Sequence, residues 1–460
     1  MSDDLLLAYY GDDFTGSADV MEVFQWSGLR TVLFLDPPTP KQLSAFENLR
    51  GFGVAGCSRS MSPDEMDVEL REKLTGLSDS PARFVHYKTC STFDSSPEIG
   101  SIGKAIEVGL DVFGGDYVQV VIGAPNLGRY QAFGNLFARS GLDTQPFRLD
   151  RHPTMATHPI TPMDEADVRV HLARQTSLPS MLHDVAMLHA DVDVDASANT
   201  ADAKILLFDV VSEDDLVKVG SRLDEKDSTA SRFLVGSSGV EYALTRHWQE
   251  TGLLANHRSH QPGHPTFSQT PQLLAITGSC SPVNDRQISA AIAAGFETVA
   301  IETPNLVDAS DADREIGRVV DLTLDVLRGG GNVIVHSSRG PNDPRVASTT
   351  ARLRESGMSE TDVRLHSGRI LGPRLGEILK RLLQDYPLPR VGIAGGDTSG
   401  HIARQLDLVA LEAVAPLAPG SPLCKAHAEN DLDGVEFFFK GGQVGKDDVW
   451  STMLSGTDRQ

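Results

Sequence analysis

The segment Leu5-Leu-Leu-Ala-Tyr-Tyr-Gly-Asp-Asp-Phe-Thr-Gly-Ser-Ala-Asp19 contains the repeating pattern that decides the fold class. Its apolar run, Leu5–Tyr10, predicts a buried strand, and the glycine and two aspartates that follow predict a tight turn. Thr15 or Ser17 can cap the helix that comes next. The polar turn therefore stands at the carboxyl end of a strand, which is where α/β proteins bind ligands.

The same order of strand, turn and helix recurs along the chain. In the first half the predicted strands are Leu5–Tyr10, Thr31–Leu35, Gly53–Ala55, Phe84–Tyr87, Tyr117–Ile122, Ile205–Val210 and Phe233–Val235. In the second half they are Leu273–Ile276, Val333–Val335, Val391–Ala394 and Val435–Phe439. This alternation predicts an α/β fold whose mostly parallel sheets are layered with helices.

A chain of 460 residues exceeds one ordinary core, so more than one domain is expected. The stretch Ser259–Gln272 is rich in Pro, His, Ser and Gln and lacks apolar periodicity, which is typical of a linker. We predict an N-terminal domain over residues 1–260, a linker near 259–272 and a C-terminal domain over 273–460. Within the first domain, the polar tract Asp191–Asn199 is predicted to be a connector.

Composition limits the partners and the location. A net charge of −22 argues against a nucleic-acid partner, since binding a phosphate backbone requires a basic surface. No apolar stretch reaches the roughly 18 residues of a membrane span. The first residues lack a basic leader, so a cytoplasmic location is expected. The four cysteines and fourteen histidines lack the spacing of a disulfide framework or zinc site. An acidic protein that binds anions must concentrate its cations locally or recruit a metal ion.

Three polar segments follow predicted strands of the first half. The adjacent carboxylates Asp12 and Asp13 repel each other unless something binds there, although a helix cap alone also explains the segment. In Cys57-Ser-Arg-Ser60, Arg59 suits a carboxylate ligand but is also a common surface residue. The segment Lys88-Thr-Cys-Ser-Thr-Phe-Asp94 combines charge with hydroxyls, which suits a polyhydroxy anion as well as a plain polar loop.

Glycine-rich turns follow the predicted strands of the second half. They are Ser279-Cys-Ser281, Gly395-Gly-Asp-Thr-Ser-Gly400 and Gly441-Gly442. Glycines at such turns let backbone N–H groups approach phosphate oxygens. Gly441-Gly-Gln-Val-Gly-Lys446 is one residue short of a Walker A loop, and Asp447 replaces its Ser or Thr, so a P-loop is not predicted. Several such turns in one domain favour a nucleotide site.

In this order, the motifs resemble the four-carbon acid sugar kinase family, which includes threonate, erythronate and oxo-tetronate kinases. The resemblance runs nearly end to end. It is carried by the first turn, Ser58-Arg-Ser60, Lys88-Thr-Cys-Ser-Thr-Phe-Asp-Ser-Ser-Pro97, Gly123-Ala-Pro-Asn-Leu-Gly-Arg129, His158-Pro-Ile-Thr-Pro-Met-Asp164, Gly278-Ser-Cys-Ser-Pro282 with Gln287, and the two later glycine turns.

The resemblance implies that the N-terminal domain binds a sugar acid, the C-terminal domain binds ATP, and phosphate passes across a cleft between them. It implies substrate contacts at Asp13, Arg59, Lys88, Thr89, Cys90, Ser91 and Thr92. It implies ATP contacts at Ser279, Ser281, Gly395, Gly396, Asp397, Thr398, Gly441 and Gly442.

Phosphoryl transfer depends mainly on positioning and on charge stabilisation. We expect Asp12 or Asp13 to accept the proton of the substrate hydroxyl or to orient that hydroxyl. Mg²⁺ is expected between the ATP phosphates, where Asp397 could orient the ion or its waters, although a turn-forming role explains this residue equally well. We predict no metal site made by the protein alone.

The sequence leaves other functions open. The same layout suits a two-domain binding or sensor protein without catalysis. A dinucleotide-dependent dehydrogenase would need a glycine-rich strand-to-helix turn with an acidic residue further on, which the sequence lacks. Candidate substrates are threonate, erythronate, their oxo derivatives and branched relatives such as oxo-isoapionate. A homodimer is one expectation for the oligomeric state.

Overall fold

The computed structural model describes residues 5–140, 145–158, 160–200, 202–225, 229–254 and 265–457. The chain divides into two compact units, Met1–Val32 with Asp36–His260 and Leu33–Leu35 with Gln261–Gln460. Residues 259–264 of the predicted linker lie outside the described residues. Within the described ranges, no helix is long and apolar enough to cross a membrane.

The first unit contains a large sheet and a small one. The strands are β1 (Leu7–Gly11), β2 (Thr31–Phe34), β3 (Gly51–Ala55), β4 (Phe84–Lys88), β5 (Val118–Val121), β6 (Arg129–Ala132), β7 (Asn135–Arg139), β8 (Pro146–Arg148), β9 (Ser180–His183), β10 (Ile205–Phe208) and β11 (Phe233–Gly236). The helices are α1 (Phe14–Trp26), α2 (Pro40–Ser44), α3 (Pro63–Ser78), α4 (Ile102–Phe113), α5 (Val168–Ala173), α6 (Val185–His189), α7 (Val194–Thr200), α8 (Glu213–Leu223) and α9 (Gly239–Glu250).

The large sheet of this unit has the order β2-β3-β1-β4-β11-β5-β10-β9. From β3 to β9 its pairs are parallel, and β6, β7 and β8 form the small antiparallel sheet. The residues of β1, β3 and β4 are all buried, as expected for a sheet covered by helices on both faces. The register aligns Gly11 with Ala55 and Lys88, and Lys88 with Gly236. The turns after these four strands therefore emerge side by side.

The second unit also alternates strands and helices. Its strands are β12 (Leu274–Thr277), β13 (Glu297–Ala300), β14 (Val333–His336), β15 (Arg390–Ala394), β16 (Leu408–Ala418), β17 (Ser421–Ala428) and β18 (Glu436–Lys440). Its helices are α10 (Pro282–Ala293), α11 (Thr303–Leu306), α12 (Ala312–Arg328), α13 (Pro344–Glu355), α14 (Glu360–Asp385), α15 (Gly396–Gln405) and α16 (Val449–Ser455).

The order in this unit is β13-β14-β12-β15-β18-β17-β16. The pairs are parallel from β13 to β18, and β17 is antiparallel to both β18 and β16. The register aligns Thr277 with His336 and Ala394, and Ala394 with Lys440. The glycine-rich turns after β12, β15 and β18 are therefore neighbours at one edge of the sheet.

The predicted α/β class with mostly parallel sheets is confirmed, and all eleven predicted strands are present to within two residues. Strands such as β13, which is largely exposed, were not predicted because their apolar signal is weak. The prediction of a connector over Asp191–Asn199 was wrong. Helix α7 occupies most of this tract, and the Asp193 carboxylate accepts a hydrogen bond from Ala196 N at 2.8 Å.

Candidate active site

Asp12 and Asp13 follow β1 and share one guanidinium. Arg59, in the 3₁₀ turn after β3, donates from Nη2 to Asp12 Oδ1 at 2.6 Å, from Nε to Asp12 Oδ2 at 3.2 Å and from Nη1 to Asp13 Oδ2 at 2.7 Å. This cation offsets the repulsion of the two carboxylates. Burial raises the pKa of Asp12 to about 6 against the opposing effect of Arg59. Asp12 is therefore ionised at pH 7 but titrates close to neutrality.

Asp13 also caps helix α1. Its Oδ1 accepts the Gly16 backbone N–H at 2.6 Å, and Thr15 Oγ1 donates to its Oδ2 at 3.2 Å. The capping residue is thus Asp13, not Thr15 or Ser17 as expected from sequence. A Cβ atom at Gly16 would lie 2.6 Å from Asp13 Oδ1 and 3.6 Å from Lys88 Nζ. A side chain at position 16 would therefore displace the Asp13 carboxylate and come into van der Waals contact with the Lys88 ammonium.

Lys88 ends β4 and is buried, with its ammonium near a third carboxylate. Its Nζ lies 3.6 Å from Asp19 Oδ2 and donates to Thr89 O at 3.1 Å. Ser238, after β11, donates to the same Asp19 oxygen at 2.5 Å. The pKa of Lys88 is raised. Burial alone would lower this pKa, but the attraction of the Asp19, Glu241 and Asp12 carboxylates outweighs the effect of burial. Lys88 therefore stays charged.

The loop after Lys88 is ordered by its own side chains. Thr92 Oγ1 donates to Asp94 Oδ1 at 2.6 Å, and Cys90 Sγ lies 3.1 Å from Thr92 Oγ1. Thr161, from the motif that begins at His158, donates to Asp94 Oδ2 at 3.5 Å. Burial and the Asp94 carboxylate raise the pKa of the Cys90 thiol to about 11. Cys90 is therefore a neutral thiol at physiological pH.

In the second unit, the turn after β12 packs on the turn after β18. Ser281 caps α10 by accepting the Asn284 N–H, and its Oγ donates to Gly442 O at 2.5 Å. A Cβ atom at Gly442 would lie 2.1 Å from Ser279 Oγ. Glycine at position 442 therefore allows the two turns to approach each other closely.

The turn after β15 is shorter than the sequence suggested, because Gly396, Asp397 and Thr398 form the first turn of α15. Only Gly395 precedes the helix, with φ +133°, a conformation that L side chains rarely adopt. A Cβ atom at Gly278 would lie 2.4 Å from Thr398 Oγ1. The backbone after β12 thus packs against the Thr398 side chain in the first turn of α15. The side chain of Asp397 lies outside the described part of the structure.

Lys440 ends β18 and is fully buried beside these turns. Its Nζ donates to Gly441 O at 3.1 Å and lies 5.8 Å from the centre of the Trp450 ring. Burial lowers the pKa of Lys440 to about 8. Lys446 stood out in the sequence because it ends the incomplete Walker A pattern, whereas Lys440 did not, although it directly follows the apolar stretch Val435–Phe439.

Within each unit, the predicted residues come together as follows. Asp12, Asp13, Arg59 and the loop beginning at Lys88 meet at one sheet edge of the first unit. The turns at Ser279, Gly395 and Gly441 meet at one sheet edge of the second. Asp19, Ser238 and Arg129 were not predicted as site residues from the sequence. Arg129 Nε donates to Ser91 Oγ at 3.2 Å. Among the described residues, no group of three or more His, Cys, Asp or Glu side chains could hold a metal ion.

Two domain models match the chain. A sugar-binding N-terminal domain matches residues 7–244, and a nucleotide-binding C-terminal domain matches residues 274–450. The solved structures of two bacterial proteins share the fold. One, from Salmonella typhimurium LT2, has a TM-score of 0.72 at 20% identity over 97% of this chain and 98% of its own. The other, from Haemophilus influenzae, has a TM-score of 0.67 at 19% identity over the same shares.

Curated relatives match over nearly the whole length. The 3-oxo-isoapionate kinase of Paraburkholderia graminis is 46% identical over 455 residues, which cover 98% of this chain and 94% of the relative. The 3-oxo-tetronate kinase of Pseudomonas fluorescens is 26% identical over 457 residues, covering 98% and 96%. On both domain matches and this full-length identity, the chain belongs to the four-carbon acid sugar kinase family.

Proposed function

We propose that this protein transfers the terminal phosphate of ATP to a hydroxyl of a small 3-oxo sugar acid, with 3-oxo-isoapionate as the substrate to test first. The protein is a sugar-acid kinase because it belongs to this family and because it matches kinases of known name over nearly their full length. The choice of acid rests on the 46% identity to the 3-oxo-isoapionate kinase, against 26% to the 3-oxo-tetronate kinase.

The observation that supports the acid site is the meeting of Asp12, Asp13, Arg59 and Lys88 at the ends of three adjacent parallel strands. A carboxylate suits the site of the substrate hydroxyl, because it can accept the hydroxyl proton as the bond between the hydroxyl oxygen and the phosphate forms. In our proposal Asp12 or Asp13 is this base. Its counter-ion, Arg59, holds the carboxylates in place.

Substrate contacts are proposed for Asp13, Arg59 and the segment Lys88–Thr92. Arg59 uses three of its five N–H groups on the two aspartates, so that one on Nη1 and one on Nη2 are left to face substrate oxygens. Lys88 is buried and charged, and would stabilise negative charge that develops at the transferring group. The hydroxyls and the neutral Cys90 thiol would bind the hydroxyl groups of the acid.

ATP is proposed to bind at the glycine turns of the second unit. Glycine at positions 442 and 278 lets the turns after β12, β15 and β18 pack closely, since a Cβ atom there would meet the Ser279 or the Thr398 side chain. Ser279, Ser281, Gly395, Gly396, Thr398, Gly441 and Gly442 would hold the phosphates through N–H groups and hydroxyls. ATP supplies the phosphoryl group, and Mg²⁺ carried by its phosphates would offset their charge. Asp397 is proposed to orient that ion. The position of the ATP site in a cleft stays a prediction.

The test is ADP release from ATP with a panel of threonate, erythronate, 3-oxo-tetronate and 3-oxo-isoapionate. We expect the highest kcat/KM with 3-oxo-isoapionate. Turnover of another acid in its place would contradict the substrate assignment but not the reaction. Binding of an acid without ADP release from any acid of the panel would favour a non-catalytic binding protein.

The predicted homodimer and cytoplasmic location stay predictions. Light scattering of the purified protein would give its mass in solution, and fractionation of cells would give its compartment.

A further inference from the structure

A sugar acid carries a carboxylate at neutral pH, so its binding site needs a cation whose charge is not already compensated. Three cations described above lie in, or contact, the turns that follow the strands of the large sheet in the first unit. They are Arg59, Lys88 and Arg129. They differ in what they already bind, and this difference indicates which of them receives the carboxylate.

Arg59 and Lys88 already have acidic partners. The guanidinium of Arg59 lies against both Asp12 and Asp13, at 2.6 and 2.7 Å. The ammonium of Lys88 lies 3.6 Å from Asp19. A substrate carboxylate at either cation would be close to an existing carboxylate and would be repelled by it.

Arg129 has no acidic partner among the residues that the structure describes. Its Nε donates to Ser91 Oγ at 3.2 Å, and its Nη1 lies 3.1–3.3 Å from the carbonyl oxygens of Leu127, Gly128 and Arg139. These contacts are all with uncharged groups, and none of them uses Nη2. Burial lowers the pKa of Arg129, yet an arginine remains protonated at any physiological pH. A half-buried positive charge is thus held in place without a compensating anion.

The fold brings Arg129 to the acid site from outside the large sheet. The residue begins β6, and its backbone pairs with Ala124 just after β5. In the large sheet β11 lies between β5 and β4. The Arg129 side chain therefore passes the end of β11 to reach Ser91 in the loop after β4. Gly128 before it adopts φ +67°, and a Cβ atom there would lie 2.9 Å from the Arg139 side chain. Glycine at position 128 therefore permits the turn that aims Arg129.

We propose that Arg129 binds the substrate carboxylate through Nη2, with the Ser91 hydroxyl beside it as a second donor. The Ser91 oxygen accepts from Arg129 Nε, so its own hydrogen is free to point at the ligand. Arg59 is then the residue that holds the two aspartates, and not the carboxylate receptor. This assignment rests on the proposed function, because it takes a sugar acid as the ligand.

The experiment compares 3-oxo-isoapionate with its carboxamide, which has nearly the same shape but no charge. KM from ADP release and Kd from calorimetry are measured for both compounds with the wild type and Arg129→Gln. Loss of a hydrogen-bonded charge pair is expected to weaken acid binding roughly 10- to 150-fold. The KM and Kd of the carboxamide should be the same in the wild type and Arg129→Gln. The acid affinity of Arg129→Lys should lie between those of the wild type and Arg129→Gln. Arg71→Gln, which removes an exposed arginine paired with Asp67 on α3, is the matched control and should match the wild type.

Arg129 also binds three backbone carbonyls around its own turn, so its substitution could disturb the loop as well as remove a charge. The uncharged carboxamide separates these two effects, because a disturbed loop would weaken the binding of both compounds. Equal weakening of acid and carboxamide by Arg129→Gln would overturn the inference. So would unchanged acid binding, or a wild type that binds both compounds equally. If Arg129→Gln does not fold, the same comparison is decided by Arg129→Lys. A wild type that binds the acid but releases no ADP would overturn the kinase proposal, while the calorimetric comparison would still decide the role of Arg129.

Discussion

The guanidinium of Arg59 binds Asp12 through two parallel hydrogen bonds, from Nη2 to Oδ1 at 2.6 Å and from Nε to Oδ2 at 3.2 Å. Such a bidentate pair fixes the carboxylate plane as well as its position. Because Nη1 of the same group binds Asp13, one side chain orients both candidate bases. Their chemistry therefore depends on a residue from the turn after a different strand, β3.

The first prediction concerns pH. Burial raises the pKa of Asp12 to about 6, and only the ionised form can accept a proton. If Asp12 is the base, kcat/KM is constant above this value and falls about tenfold per pH unit below it. The profile is measured from pH 4.5 to 8.5 with saturating ATP. An inflection near 6 that persists in Asp12→Asn would show that another group titrates.

The second prediction concerns Asp13. Asparagine is as good a helix cap as aspartate, so Asp13→Asn should keep α1 capped and the melting temperature close to wild type. If Asp13 is the base, kcat should fall by about 10²–10⁴. Unchanged turnover and unchanged acid affinity in Asp13→Asn would remove Asp13 from the list of functional residues.

The third prediction concerns the nucleotide turns. In Gly442→Ala the new methyl group meets Ser279 Oγ, displaces it and breaks its contact with Ser281 N. Loss of a hydrogen bond to a phosphate should raise the KM for ATP roughly 10-fold or more, without a change in the KM for the acid. The matched control is Gly317→Ala in α12, where a Cβ atom has nothing within 4 Å. Equal ATP affinity in both variants would argue against a nucleotide site at Gly442.

The fourth prediction concerns Lys440. Its pKa is about 8 in the folded protein and near 10.5 when unfolded, so the unfolded state binds more protons between these values. Stability contributed by this residue therefore rises with pH across that window. The wild type should gain on the order of 2 kcal/mol over Lys440→Met between pH 7 and pH 10.

Chemical denaturation of both proteins at the two pH values measures this difference. Lys380→Met is the control, because Lys380 is a partly exposed residue paired with Asp407 and its removal should give no such trend. A difference between wild type and Lys440→Met that does not vary with pH would show that Lys440 is well solvated.

The fifth prediction concerns the metal ion. Mg²⁺ is usually bound through the phosphates of the nucleotide and one or two protein carboxylates, so the ion is expected to arrive with ATP. Chelation with EDTA should abolish ADP release, and added Mg²⁺ should restore it. The melting temperature without nucleotide should not change. A lower melting temperature in EDTA would reveal a metal that the protein binds by itself.

The strands were predictable because each central strand is an apolar run bounded by a polar turn, as in Phe84–Lys88. The half-buried hairpin strands β6 and β7 lack that signal, so the element that carries Arg129 was missed. Residues such as Asp12 and Asp13 stood out because two adjacent carboxylates are costly. Asp19 did not stand out, since a single acid on a helix is ordinary and its meeting with Lys88 joins positions far apart in sequence.

By itself, the sequence determined the α/β class, the family and the segments that bear polar groups at strand ends, because these depend on local pattern and on motif order. Only the tertiary structure decided how the charges pair. Sheet register places Arg59 against Asp12 and Asp13, and Lys88 against Asp19, while Arg129 meets only uncharged groups among the described residues. The physical reason is that ion pairing acts over a few ångströms in space, and separation along the chain does not encode that distance.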